Sequence, residues 1–182
     1  MSRLFIAIDL PDTVRERIAD ICFGIRQARW VASDQLHLTL RFLGETPDCD
    51  YQLLTGALAD IHAAPFEMTV RGAGFFPPRK NPNVLWVGIE PNGAVTDLYG
   101  EIEETVVSCG FESDDRKFHP HITVARFNER AGIETAAAFT VANALFKAGP
   151  FTVSAFHLYS SDLKPWGAIH TREASFPLDA DA

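Results

Sequence analysis

Histidine and threonine recur as one word at two places in the chain, His37-Leu38-Thr39-Leu40 and His121-Ile122-Thr123-Val124. With only 6 histidines in 182 residues, chance supplies a His-x-Thr word about 0.4 times. Two copies in apolar surroundings therefore need a common cause. In a strand, residues two apart share a face, so His37 stands beside Thr39 and His121 beside Thr123. Each copy pairs a ring that titrates near neutrality with a hydroxyl. One ring can take a proton while the other gives one.

In-line displacement at phosphorus has this two-sidedness. Its attacking and leaving oxygens lie on opposite sides, with donors needed for the non-bridging oxygens between them. Two His-Thr strands facing across a cleft supply the layout without metal. The histidines serve the apical oxygens and the threonines the others.

A cation would help hold the phosphate. Strand parity puts Arg41 on the face of His37 and Thr39, which makes it a candidate substrate-binding residue. The same parity puts Arg126 on the apolar side with Ile122 and Val124. Either the strand bulges near Ala125 or Arg126 leaves the sheet edge and curls toward the cleft. The second is expected, because burying an unpaired guanidinium is costly. Lys80, Arg116 and Lys117 are weaker candidates. His119 and His121 form a His-x-His pair, half of a metal site, but Pro120 more simply marks the start of a strand and no third ligand has an obvious spacing. His62, His157 and His170 lack a partner motif and are expected in structural or surface roles. Phe75 and Phe76, before a Pro-rich turn, are candidates for stacking on a base.

The elements that must position these groups follow from periodicity. A buried strand covers Arg3 to Leu10, and an amphipathic helix runs from Asp12 or Thr13 to about Ala28. "LHLTLRFLGE" alternates, with Leu36, Leu38, Leu40 and Phe42 on one face and His37, Thr39 and Arg41 on the other. Helices are expected from about Asp50 to His62, from Ala94 to Cys109, and over "ERAGIETAAAFTVANALF". Strands are expected at "FEMTVRGAGFF", "VLWVGIE", "FHPHITVARF", "FTVSAFHLYSSDL" and "AIHTREASFPL". This coarse repetition suggests two related α+β lobes in one domain spanning residues 1–182.

Bulk properties bound the rest. The hydrophobic share of 47% and charged share of 22% are those of an ordinary globular protein. A formal charge of −8 excludes the basic face of a duplex-DNA binder, so a phosphate must be gripped locally. Cys22, Cys49 and Cys109 form no CxxC pair and fit structural thiols in a reducing compartment. The opening apolar run is too short for a signal peptide and no stretch reaches the length of a membrane span. A cytoplasmic monomer without membrane contact is expected.

At "HLTLRFLGE" and "FHPHITVAR", with "RLFIAIDLP", "GFFPPRKNPNVLWVGI" and "LYSSDLKPWGAIHTREASFPL" in the same order, the chain resembles the two-histidine (2H) phosphoesterases. It is most similar to the RNA 2′,3′-cyclic phosphodiesterases, also called 2′-5′ RNA ligases. The resemblance implies a bilobal α+β fold: two antiparallel β-sheets with outer helices, related by pseudo-twofold symmetry around a central cleft. It implies hydrolysis of RNA 2′,3′-cyclic phosphate ends to 2′-phosphomonoesters, with no metal or other cofactor, and a reverse ligation open to the same chemistry. Carried over by motif, His37 matches the general acid and His121 the general base. Thr39 and Thr123 match the phosphate-binding hydroxyls, Arg126 the arginine closing the second motif, and Phe76 or its neighbour the base-stacking ring. One departure stands out. Members often carry Tyr at the third position after the late glycine, and here Gly167 is followed by Ala168, Ile169 and His170. The alternatives are a non-catalytic RNA-end or nucleotide-binding protein of the same fold, and a metal-dependent phosphohydrolase using His119 and His121.

Overall fold

The structure is a computed structural model that describes residues 2–78, 81–127, 132–164 and 167–179. Its strands are β1 (Ser2–Asp9), β2 (Ala28–Trp30), β3 (His37–Thr46), β4 (Phe66–Phe76), β5 (Val84–Ile89), β6 (His121–Phe127), β7 (Lys147–Val153), β8 (Ala155–Lys164) and β9 (Gly167–Pro177). The helices are α1 (Asp12–Ala19), α2 (Asp48–Ala59), α3 (Gly93–Ser108) and α4 (Ile133–Ala142).

Among the described residues the strands form one antiparallel sheet, ordered β7-β4-β5-β6-β3-β1-β8-β9, with β2 added on β6. The order divides in the middle. β3 and β6, which carry the two His-Thr words, are the inner strands of two four-stranded halves. They meet in register only at Leu38 and Ile122. Directly opposed side chains lie on the same side of a sheet. Leu38 and Ile122 are both fully buried toward the core, so the residues flanking each, His37, Thr39, His121 and Thr123, emerge together on the other side. The helices cover the core side with Val14 and Ile18 of α1, Leu54 and Leu58 of α2, Leu98 and Ile102 of α3 and Phe139 of α4.

Both inner strands carry the same irregularity. Along β3, Thr39 pairs with Ala7 and Arg41 with Ile6, leaving Leu40 extra. Along β6, Thr123 pairs with Trp86 and Ala125 with Leu85, leaving Val124 extra. Each is a β-bulge at the fourth residue of the word, and a bulge breaks the alternation of faces. Leu40 and Arg41 are consequently both buried, as are Val124 and Ala125. The next residues, Phe42 and Arg126, return to the histidine face.

Several expectations are corrected here. Arg41 does not share the face of His37, and Phe42, expected in the core, is 55% exposed. Only 8% of Arg41 is exposed. Its Nε lies 2.6 Å from Glu103 Oε2 of α3, Nη1 donates to the Phe42 carbonyl at 2.8 Å, and Nη2 donates to the Glu112 carbonyl. Arg126 reaches the cleft through the bulge and not by curling off the sheet edge. Helix α1 stops at Ala19, and the chain turns through Gly24 at φ 81°, a left-handed conformation that suits glycine. Ile21, Cys22 and Ile25 still pack on the core from outside the helix. Helix α4 ends at Ala142, and Leu145 is 94% exposed. The segment read as one strand, "FTVSAFHLYSSDL", is two. β7 pairs with β4 in one half and β8 with β1 and β9 in the other, the chain crossing at Ser154.

Cys22 and Cys109 are free, half-buried thiols. Burial pushes the Cys22 thiol up to about 11, which suits a structural role. The side chain of Cys49 lies outside the described ones. No helix among the described residues is long and apolar enough to cross a membrane.

Arg41 is the tie between the β3 bulge and α3. Replacing it by alanine removes the cation from the largely buried Glu103 carboxylate and leaves it only the Asp114 N–H, which costs about 3–5 kcal/mol. Urea unfolding of Arg41→Ala should show a loss of that size; a loss within measurement error would mean that the ion pair does not hold the bulge.

Candidate functional site

The two histidines are held by the same backbone device. His37 Nδ1 donates to the carbonyl of Gln35 at 2.8 Å, and His121 Nδ1 donates to the carbonyl of His119 at 2.7 Å. The partner is two residues earlier in both cases. A carbonyl only accepts, so Nδ1 keeps its proton and Nε2 is left as the accepting nitrogen of each neutral ring. Thr39 and Thr123 stand half-buried on the same face, and neither hydroxyl is used in a hydrogen bond among the described residues.

Arg126 is the cation of this face. Its charge acts on both His37 and His121, and it forms no ion pair among the described residues. Burial, and then the positive charge of Arg29 on the neighbouring strand, lower its pKa. A guanidinium with a cation beside it and no carboxylate partner among the described residues is suited to holding an anion.

Aromatic walls flank the histidines. The Phe5 ring lies 5.0 Å from His37 and is itself stacked by Tyr159 at 5.3 Å. His170 meets His37 edge-on at 5.4 Å. Tyr159 Oη donates to Asp9 at 2.7 Å, and Arg172 bridges Tyr159 and Asp9. On the other side, Phe76 lies 5.0 Å from His121 and 5.3 Å from Trp86. Trp86 can lie flat across β4 only because residue 74 is glycine, where a Cβ would come within 2.2 Å of the indole.

Burial dominates the electrostatics. It pushes the His37 ring down to about 4, with the positive charges of His170 and Arg126 acting in the same direction and the Gln35 carbonyl and Asp9 opposing them. His121 is also lowered, by burial and then by its neighbours His119 and Arg126 against the pull of the His119 carbonyl. In both rings the charged form is thus disfavoured, beside the Arg126 guanidinium.

The structure brings His37, Thr39, His121, Thr123 and Arg126 to one face and adds Phe76. Phe75 instead packs on the core. Arg116 pairs with Asp114 at 2.7 Å, and Lys80 lies outside the described residues. His62 sits at the surface near Asp179, and His157 is buried against Ser175 and Asp9. The rings of His119 and His121 are 6.2 Å apart. Among the described residues no three His, Cys, Asp or Glu side chains are grouped to hold a metal. Sequence reading missed His170, Tyr159 and Trp86. Trp86 had a usable signal, since it alternates with the buried Leu85 and Val87; His170 and Tyr159 had none before β8 and β9 were paired.

The sequence profile of the 2′-5′ RNA ligase superfamily matches residues 10–165. The RNA 2′,3′-cyclic phosphodiesterase of Archaeoglobus fulgidus is 30% identical over 171 residues, 92% of this chain and 96% of that one. The protein of the same name from Thermus thermophilus is 37% identical over 192 residues, 97% of this chain and 90% of its own. A crystal structure of a Thermus thermophilus protein matches with a TM-score of 0.79 at 31% identity, covering 99% of this chain and 100% of that one. Escherichia coli LigT complexed with 3′-AMP matches at 0.78 and 29%, covering 97% and 98%.

The lowered His37 pKa has a measurable consequence. The unfolded chain, with an ordinary histidine, binds the proton more readily between about pH 6.5 and 4. This site's contribution to stability is therefore complete above about pH 6.5 and lost as pH falls through about 4. In a proton NMR titration the His37 ring should remain neutral at pH 5.5; a midpoint near the ordinary histidine value would refute the buried setting.

Proposed function

The chain belongs to the 2′-5′ RNA ligase superfamily, and we propose that it opens RNA 2′,3′-cyclic phosphate ends to 2′-phosphomonoesters with its two histidines as proton carriers. The observation that carries this reading is the convergence on one face of the sheet of two carbonyl-oriented imidazoles and a guanidinium with no ion pair among the described residues.

The cyclic phosphodiester is an anion and is drawn to Arg126 and the hydroxyls of Thr39 and Thr123. These groups donate to the non-bridging oxygens as charge builds on them. Water attacks phosphorus from the His121 side, and His121 Nε2 takes its proton. The bond from phosphorus to the 3′ oxygen breaks on the far side, and His37 Nε2 delivers the proton that completes the 3′ hydroxyl. One proton enters at His121 and one leaves from His37, so the pair ends with its roles exchanged and resets through solvent.

The acid must hold a proton that the resting cleft disfavours. A bound anion next to the ring restores it, since an opposite charge favours the protonated imidazole. The proton thus comes in with the substrate. The two rings titrate as a coupled pair, and kcat/KM, which reports the free enzyme, should peak on the acid side of the ordinary histidine range.

Incubation with an RNA ending in a 2′,3′-cyclic phosphate, with and without EDTA, tests the reading. Turnover to a 2′-phosphate, unchanged by chelation, is expected. His37→Ala and His121→Ala should each slow it by about 10²-fold or more. A cyclic substrate with sulfur in place of the 3′ oxygen has a leaving group that needs no proton. It should restore His37→Ala and leave His121→Ala slow. Near-normal turnover in either variant, loss of activity in EDTA, or a 3′-phosphate product would each overturn the scheme.

A further inference from the structure

Trp86 belongs to two places at once. Its ring lies 5.0 Å from His119 and 6.2 Å from His121. Together with His119 it also lines a second hollow, a groove of about 830 Å³ between β4–β5 and the start of α3. Gly88 on its wall lies so close to β4 that a Cβ there would come within 2.8 Å of the Arg71 carbonyl oxygen. The volume is within the range of about 300–1,000 Å³ found for small-molecule sites.

The lining has the chemistry of a nucleotide site. Trp86 and His119 offer ring surface, and every base has a face that stacks on such a wall. Ile89 and Pro91 add apolar surface, while Lys117 and Arg71 are exposed cations on the same lining. Arg71 is paired with Glu90 at 2.7 Å, and Lys117 forms no ion pair among the described residues. Trp86 Nε1 is buried with no hydrogen-bond partner among the described residues, an unmet donor on the partition between groove and cleft.

We propose that this groove takes the penultimate nucleotide of the RNA, the one 5′ to the cyclic phosphate. Its base lies against Trp86 and His119 and its linking phosphate near Lys117. The inference rests on the reaction proposed above and narrows its substrate class, from any cyclic phosphate to an RNA 3′ end at least two nucleotides long. Continuity favours this occupant over an unrelated metabolite, because the partition residues are the ones that touch His121.

Equilibrium binding to the intact protein separates this inference from the chemistry. The probes are adenosine 2′-phosphate and the dinucleotide ApA ending in a 2′-phosphate, compared by calorimetry. The dinucleotide should bind about tenfold or more tightly, the size of one stacked base. Thr96, exposed on the groove wall in α3, gives a filling variant and its control. Thr96→Trp should abolish the dinucleotide's advantage without weakening the mononucleotide, and Thr96→Ala should keep it. Lys117→Glu should weaken the dinucleotide several-fold at low salt. Equal affinity for the two probes, no binding of either, or an advantage that survives both Thr96→Trp and Lys117→Glu would overturn the inference. Failure of the proposed reaction would show differently, as the dinucleotide preference intact with no turnover of cyclic ends.

Discussion

One extra residue in each of two neighbouring strands decides which side chains share a face with the two histidines. Without the bulges at Leu40 and Val124, alternation would aim Arg41 at the cleft and Arg126 into the core. With them, the pattern of faces is the same in both halves, and the words "HLTLRF" and "HITVAR" occupy equivalent positions. Arg41 then corresponds to Ala125, and Phe42 to Arg126. At this position the cleft receives an arginine from one half and an aromatic ring from the other. The sheet is close to twofold in backbone and asymmetric in charge, which suits a displacement whose two sides are equivalent in geometry and opposite in proton flow.

The buried partner of that asymmetry is the Arg41–Glu103 pair. An arginine on the core side of a bulge is tolerable only with a carboxylate and carbonyls to receive it, and α3 with the loop after it supplies both. The same matching of charge to setting runs through the cleft. The protein is acidic overall, at −8, yet the face with the two histidines carries imidazoles whose charged form is disfavoured and the Arg126 guanidinium, which has no ion pair among the described residues. An anion is attracted locally with no need for a basic surface, which fits recognition of an RNA terminus better than of a backbone.

Much of this was legible in the sequence. The repeated word located both histidines and both threonines, because period-two alternation holds across its first three residues. It fails at the fourth. Bulges without glycine have no residue signature, so counting faces through Leu40 and Val124 gave the wrong side for Arg41, Phe42 and Arg126. Setting the two words one above the other would have warned that the two arginines are not counterparts. His170, Tyr159 and Trp86 escaped for another reason. Alternation with Leu85 and Val87 marks the face of Trp86, nothing local marks His170 or Tyr159, and only the sheet order carries β9 and β8 to His37 and β5 to His121. The break at Ser154 was equally hidden, since the residues on either side of it, Phe151 to Val153 and Ala155 to Phe156, all suit a strand.

The account stands on the two bulged strands forming one anion site and not two. Inorganic phosphate titrated into the protein, followed by NMR at the ring protons of His37 and His121 and at the Arg126 Nε–H, tests this without requiring turnover. All three signals should move with one dissociation constant, and both histidines should stop responding in Arg126→Ala. A response from one histidine alone, or from the two with different constants, would contradict it.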